Sequence, residues 1–258
     1  RKGPMADADA AAPAYWRGTG AETSGLVDVT PVEMLALQNM AWLTFKSVST
    51  RDRGGKAMPK GLKVVKVKRN ENARLWARYA AGRLGVQQAH SHKCVKVDDV
   101  YGGRVLTFED LPPELQSETR ADVNECFLWH GTSPEAAGLI CQAGFDLTRA
   151  GSNVGSMYGP GAYFAECSSK SDEYASAGGG IYEGMFCLLL CRVVLGEVHM
   201  LTNAGEQVHG LVKASMESGA YDSVLGNRQA AVGTYREFVV YQEDQIYPEF
   251  VVIYEPQR

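Results

Sequence analysis

A short apolar run, Phe127-Leu128-Trp129, leads into His130-Gly131-Thr132, and the side chains that could do chemistry follow in a definite order. Tyr163 and Phe164 close a glycine-rich stretch, Ser168-Ser169-Lys170-Ser171 comes next with Tyr174 just beyond, and Glu237 lies within Tyr235-Arg236-Glu237-Phe238. A fixed carboxylate such as Glu237 can stabilise a cation developing beside it and can polarise an incoming hydroxyl. Aromatic faces such as those of Tyr163 and Tyr174 suit a flat cationic ring, by stacking and by cation–π attraction. Gly131 allows backbone to approach a ligand where a Cβ would collide. Taken singly, each residue has a commoner structural reading: His130 as a satisfied buried histidine, the tyrosines as core aromatics, Glu237 as an exposed strand end. Gly159 and Gly161 sit in no P-loop or GxGxxG pattern and read as turn formers.

Elements must hold these groups. Thr30 and Pro31 form an N-cap and first-turn pair for a helix ending near Val48, with Leu35, Leu37, Met40, Ala41 and Leu43 at helical intervals. Residues 50–60, with Gly54, Gly55 and Pro59, read as a polar loop. Leu62 to Val67 has strand period, its Lys66 and Lys68 reading as a solvated face. Asn70 or Asn72 caps a helix carrying Leu75, Trp76 and Tyr79, expected to stop at Gly82 or Gly85. Strands are expected at Cys126–Trp129, Phe186–Val194, Phe238–Tyr241 and Phe250–Tyr254. Helices are expected at Pro134–Ala143, closed by Gly144, and between Phe164 and Ala175 after a short strand, with a long loop from Ala150 to Gly161.

Composition narrows the class. Of 258 residues, 45% are hydrophobic and 22% charged, which excludes a disordered, collagenous or disulfide-scaffold chain. With 26 Lys plus Arg against 30 Asp plus Glu, the net charge of -4 argues against a broad basic surface for nucleic acid. The longest apolar run, Met185 to Leu195 with Arg192 inside it, is far shorter than the ~20 residues that span a bilayer. The start lacks a signal-peptide core, and its first residue, Arg1, reads as the start of an excised piece. Cys94, Cys126, Cys141, Cys167, Cys187 and Cys191 include no CxxC pair. Cys187 and Cys191 on one strand would stand about 13 Å apart, too far for a disulfide, so reduced thiols in a reducing compartment are expected. His90, His92 and Cys94 lack a fourth ligand at a familiar spacing, and no metal is expected there.

The combination of motifs is specific. Phe127 to Thr132, Met157-Tyr158-Gly159-Pro160-Gly161-Ala162-Tyr163-Phe164-Ala165-Glu166, Ser168 to Ser171 with Tyr174, Leu189 to Gly196, Tyr235 to Tyr241, and Tyr247-Pro248-Glu249-Phe250 together resemble the catalytic domain of the poly(ADP-ribose) polymerase family, the diphtheria-toxin-like ADP-ribosyltransferases, nearest in look to tankyrase-type domains. The resemblance spans Leu62 to Tyr254. It implies an α+β ADP-ribosyltransferase fold of two mainly antiparallel sheets with flanking helices and an NAD cleft between them. The implied division is a disordered tail at residues 1–25, a helical extension and loop at 26–61, and the catalytic domain at 62–258.

The family's catalytic triad falls on His130, Tyr163 and Glu237. NAD is implied as substrate, cut between nicotinamide and ribose. His130 would bond a ribose hydroxyl at the adenosine end, with Thr132 beside it. The Gly131 backbone and the Ser171 hydroxyl would hold the carboxamide, Tyr163 and Tyr174 would stack on the ring, and Glu237 would bond the nicotinamide ribose. Lys170 would contact acceptor or phosphate, or be solvated. Protein acceptors of ADP-ribose are the implied partners, with no membrane, no direct nucleic acid in this piece, and a nuclear or cytoplasmic location. Poly-ADP-ribosylation is the first reading; single transfer, or a silent NAD-binding module with an occluding loop between Phe145 and Tyr158, are the alternatives. The chain departs from tankyrase-type domains where Ala175 to Phe186 lacks their zinc ligands, so no zinc is expected. No autoinhibitory helical domain is evident ahead of Leu62, so DNA-dependent activation of this piece is not expected. Residues 202–233 show little resemblance.

Overall fold

Among the described residues nine strands, numbered β1 to β9 along the chain, pair in the order β1-β2-β9-β5-β3-β4-β8-β7-β6, antiparallel throughout except for the parallel pair β6–β7. The computed structural model describes residues 11–18, 23–90, 94–97, 103–109, 111–149, 157–202 and 207–258. The strands are β1 (Ser24–Asp28), β2 (Gly61–Asn72), β3 (Glu125–Thr132), β4 (Ala162–Ala165), β5 (Phe186–Val194), β6 (Val198–Leu201), β7 (Ser223–Asn227), β8 (Arg236–Val240) and β9 (Ile246–Gln257). Between them run helices α1 (Pro31–Leu43), α2 (Ala73–Ala89), α3 (Pro113–Ser117), α4 (Pro134–Ala143), α5 (Ser168–Asp172), α6 (Gln207–Glu217) and α7 (Arg228–Val232).

The two expected sheets are joined by a single residue pair. β3 pairs with β5 along its whole length, from Glu125↔Val194 to Thr132↔Cys187, but its ladder with β4 is the single pair Trp129↔Ala165. Five strands therefore lie on one side of that pair and four on the other. Alternation of side chains sorts the core accordingly. Leu128, Phe164, Leu189, Phe238 and Val251 pack on one face with Ala137 and Cys141 of α4. Trp129, Leu188, Leu190 and Val252 pack on the other with Leu37 and Met40 of α1, and beyond the junction Val224 and Val239 meet Val208 and Val212 of α6.

Local signals explain most boundaries. Thr30 and Glu33 form a reciprocal capping box with Pro31 at the first turn of α1, which ends at Leu43 and not near Val48. The Thr44 hydroxyl folds back onto the Met40 carbonyl at 2.7 Å, and the chain leaves the helix there to cross α5. β2 runs to Asn72, well past Val67, because Lys68 to Asn72 pair with β1. Asn72 then caps α2 through Leu75 N–H at 3.1 Å. Helix α2 passes through Gly82 and Gly85 to Ala89. A Cβ on Gly82 would collide with the Asp244 backbone, so this glycine serves a close approach to the turn at Glu243–Gln245 rather than a helix stop.

The expected tail 1–25 differs most. Its residues 1–10 and 19–22 lie outside those described, but Ser24 and Gly25 already belong to β1, and Trp16 is buried against Trp76 and Tyr247. The Tyr15 hydroxyl donates to Glu249 at 2.9 Å and receives Arg192 Nη2 at 2.8 Å. Two aromatics inside a polar stretch leave no periodicity to read, yet they close one end of the core. Cys94, Cys141, Cys167, Cys187 and Cys191 are outside any disulfide. Among the described residues, no helix is long and apolar enough to cross a membrane.

Candidate functional site

Where β3 and β4 part, three strands bring the sequence candidates together. Glu237 on β8 pairs with Ala165, and Tyr163 lies two residues along β4, so both side chains share one face of the sheet. Trp129 and Gly131 of β3 follow the same alternation. His130 has the opposite one. Its ring packs edge-on to Phe145, with centroids 5.0 Å apart, and lies 5.5 Å from Phe164, while Nδ1 is 2.9 Å from the Tyr163 carbonyl. A carbonyl only accepts, so Nδ1 carries the proton. Burial holds the His130 pKa below the usual histidine range, partly opposed by that hydrogen bond. The ring is thus neutral at pH 7 and leaves Nε2 as an acceptor.

Tyr163 spends its hydroxyl on the glycine turn before it. It receives Tyr158 N–H at 2.8 Å and donates to the Gly159 carbonyl at 2.9 Å, and Gly159 takes the left-handed φ of +83° that the turn needs. These bonds pin the ring and leave its face as the group a ligand could meet. The turn is a described part of the expected 150–161 loop; residues 150–156, and with them most of the expected occluding segment, lie outside the described residues.

Helix α5 presses on β3 from the Glu237 side. Ser171 Oγ donates to the Trp129 carbonyl at 2.9 Å, and a Cβ on Gly131 would overlap the Ser171 carbonyl oxygen. The glycine expected to admit a ligand is therefore needed first by the contact between β3 and α5. Ser168 Oγ donates to the Ala41 carbonyl at 2.6 Å, Ser169 Oγ accepts Lys46 N–H at 3.0 Å, and Asp172 pairs with Arg53 at 2.8 Å and accepts the Tyr254 hydroxyl at 2.6 Å. Every residue of this one-turn helix is buried. So short a helix holds only through such bonds. Thr132 ends β3 half-buried, its carbonyl accepting Ser176 N–H at 3.3 Å.

Lys170 is the expected solvated or ligand-binding cation, and it is only 2% exposed. Its Nζ lies 2.7 Å from Asp52 Oδ2, 2.9 Å from Glu173 Oε2, 3.3 Å from the Tyr174 hydroxyl and 3.6 Å from Glu237 Oε1. Burial alone would lower the Lys170 pKa, but Glu237, Tyr174, Asp52 and Glu173 outweigh it and the net shift is upward, so the ammonium stays charged. Tyr174 is half-exposed, donates its hydroxyl to the same Asp52 oxygen at 2.7 Å, and carries the Lys170 ammonium 4.9 Å from its ring centroid. Burial raises the Glu237 pKa; Lys170 pulls it down and Asp52 pushes it back up, for a net rise.

Two residues in this cluster escape sequence reasoning. Asp52 belongs to a polar loop more than a hundred positions from Lys170, and no spacing announces the contact. Arg228 opens α7 in the unread stretch, with Nη1 3.3 Å from Met157 Sδ and its charge favouring ionised Glu237. The Asn227 cap that starts this helix is the one local signal near it. Elsewhere, His90 Nε2 lies 2.6 Å from Asp222 Oδ2 and Cys94 is partly buried, while His92 is outside the described residues. Among the described residues no group of three His, Cys, Asp or Glu side chains is arranged to hold a metal ion.

Comparison with known proteins bears on the whole arrangement. The profile of the poly(ADP-ribose) polymerase catalytic domain matches residues 48–255, which include every candidate above. The human protein mono-ADP-ribosyltransferase PARP12 is 31% identical over 132 residues, 51% of this chain and 17% of that protein. Poly [ADP-ribose] polymerase 2-A of Oryza sativa subsp. japonica is 32% identical over 152 residues, 50% of this chain and 23% of that protein. Poly [ADP-ribose] polymerase 2 of Zea mays is 30% identical over the same length, with the same shares. These matches cover under a quarter of each relative's own length. On the strength of the match over residues 48–255, the chain belongs to the poly(ADP-ribose) polymerase catalytic-domain family.

Proposed function

We propose that this chain transfers ADP-ribose from NAD to protein acceptors or to a growing ADP-ribose chain, releasing nicotinamide. The observation that carries the reading is the shared face of Tyr163 and Glu237, walled by Ser171, Lys170 and Tyr174 of the α5 segment. Tyr163 and Tyr174 offer the ring faces for nicotinamide, and the Gly131 backbone with Ser171 Oγ, which can still accept, offers the amide partners. His130 and Thr132 take the adenosine ribose. The neutral His130 ring accepts a hydroxyl proton through Nε2.

Glu237 is placed to bond the nicotinamide ribose. When the bond to nicotinamide breaks, positive charge develops on the ribose, and a carboxylate held beside it is worth most in a site shielded from water. The same oxygens can accept the proton of an attacking acceptor hydroxyl. NAD enters as substrate, and the chemistry requires no metal ligand from this chain. Lys170 keeps the local charge balanced and stands near where acceptor or phosphate would arrive.

Polymer formation is the first reading, because Glu237 supplies the carboxylate that elongation needs. The second is single transfer, favoured by the 31% identity to a relative named as a mono-ADP-ribosyltransferase. Cys141, Cys167, Cys187 and Cys191, buried and outside any disulfide, fit a reducing compartment, nuclear or cytoplasmic. Incubating the chain with labelled NAD and resolving products on a gel tests the proposal. A high-mass smear supports polymer and a discrete band supports single transfer. No label alongside measurable NAD affinity overturns both in favour of a binding module.

A further inference from the structure

An ammonium has three N–H donors, and those of Lys170 already have acceptors. Asp52, Glu173 and the Tyr174 hydroxyl lie at 2.7, 2.9 and 3.3 Å, whereas Glu237 Oε1 stands at 3.6 Å, beyond hydrogen-bonding reach. Lys170 therefore acts on Glu237 chiefly as a nearby charge, at a longer distance than any of its three hydrogen bonds. Of the three acceptors, Asp52 alone comes from a distant part of the chain. It sits in the one-turn 3-10 helix Arg51–Arg53, capped by Thr50. That turn is strapped to α5: Thr50 Oγ1 donates to Glu173 at 2.8 Å, Arg53 binds Asp172 at 2.8 Å and the Ser169 carbonyl at 2.9 Å, and Lys56 reaches the Glu173 carbonyl at 3.2 Å. One oxygen, Asp52 Oδ2, also receives the Tyr174 hydroxyl at 2.7 Å.

We propose that Asp52 is a positioning residue: it draws a Lys170 donor away from Glu237 and anchors the Tyr174 ring, leaving the Glu237 oxygens open to a substrate hydroxyl. Its consequence for rate rests on the transferase reading above; its effect on Glu237 does not. The charged and titratable groups around Glu237 are Lys170 of α5, Asp52 of the strap, Arg228 of α7, and the hydroxyls of Tyr158, Tyr163 and Tyr174. Without Asp52, a Lys170 N–H turns to Glu237 and one negative charge is lost. Both changes favour the ionised carboxylate, tie up one of its oxygens and weaken it as a base.

The test follows the Glu237 carboxyl by 13C NMR across pH in the wild-type chain, Asp52→Ala and Asp52→Glu, with Glu237→Gln to assign the resonance. Nicotinamide release is measured on the same samples. In Asp52→Ala, Glu237 titrates at lower pH, release at pH 7 falls roughly 10-fold and KM for NAD rises as Tyr174 loses its anchor. Asp52→Glu restores the titration toward wild type. Asp52 is 38% exposed, so the fold tolerates the change; should Asp52→Ala melt early, Asp52→Asn keeps an acceptor for Lys170 and Tyr174 and removes only the charge, so Glu237 again titrates at lower pH while KM for NAD stays near wild type. Unchanged Glu237 titration in the folded variant overturns the proposal. A wild-type chain that releases no nicotinamide overturns the transferase reading instead, while the titration still decides the role of Asp52.

Discussion

Two buried clusters in this molecule join cations to carboxylates through tyrosine, and they differ in what is left over. At the closed end, Arg192 is fully buried and reaches Glu249 at 3.0 Å, Glu125 at 3.3 Å and the Tyr15 hydroxyl at 2.8 Å. Tyr79 and Arg83 add bonds to Glu125 at 2.5 and 3.3 Å, and the Phe127 ring lies 4.8 Å from the Arg192 guanidinium. Burial would raise Glu125, but Arg192, Arg83 and Tyr79 hold it below the usual carboxylate range; at Glu249 burial outweighs Arg192. In the Lys170 cluster, Asp52 is partly exposed, Tyr174 is 49% exposed, and Glu237 stands 3.6 Å from the ammonium beside it, farther than that ammonium's other partners. The first cluster spends its polar groups on the fold. The second leaves a carboxylate and an aromatic face for something else, as expected of a site that binds and reacts.

The largest effect expected from this contrast is at Arg192. Arg192→Met strands Glu125 and Glu249 in the core and should cost about 3–5 kcal/mol in denaturant unfolding. A loss below 1 kcal/mol would mean that the cluster is not what holds that end together. Tyr15→Phe removes one hydroxyl from the same network and should cost about 1–3 kcal/mol, as two buried partners each lose a bond. If residues near the start were a loose tail, this change would be silent.

Glu237 should behave in the opposite sense. Its pKa is raised in the folded state, so the stability it contributes is present below the unfolded pKa and is lost as pH rises through the folded one. Glu237→Gln should therefore raise stability at pH 7, a gain that fades as pH falls to where the native carboxyl is protonated. Destabilisation at pH 7 would show that Glu237 is a structural ion-pair member like Glu125. His130 has a depressed folded pKa, so its contribution is present above about pH 6.5 and declines as pH falls through the folded value. Replacing His130 with Gln should flatten that part of the stability profile. The smallest effect is expected at the exposed Lys63–Glu255 pair, where Lys63→Ala should change stability by no more than ~0.5 kcal/mol.

What could be read from sequence was what short-range rules control. The Thr30-Pro31 cap, the apolar run of β5 and the helix closed by Gly144 each announce themselves within a few residues, and the structure has them. His130, Tyr163, Ser171, Tyr174 and Glu237 could be named because their order follows a known pattern; the structure puts Tyr163 and Glu237 on one face of the sheet beside the segment carrying Ser171 and Tyr174, and His130 on the other face. Asp52, Tyr15 and the partners of Arg192 could not be named. Their bonds span 50 to over 200 positions, and a polar loop or an Ala-rich stretch gives no hint of a distant partner. Gly82 misled for a similar reason, since the backbone that demands a glycine there comes from residue 244.

The central claim is that Glu237 is kept available for reaction while its surroundings bind NAD without it. Nicotinamide release by wild type and Glu237→Gln, measured beside NAD affinity by calorimetry, tests this most directly. The account predicts that Glu237→Gln loses roughly 10²–10³ in turnover while affinity stays within about threefold. Affinity falling in step with turnover, or equal turnover by the two proteins, would contradict it.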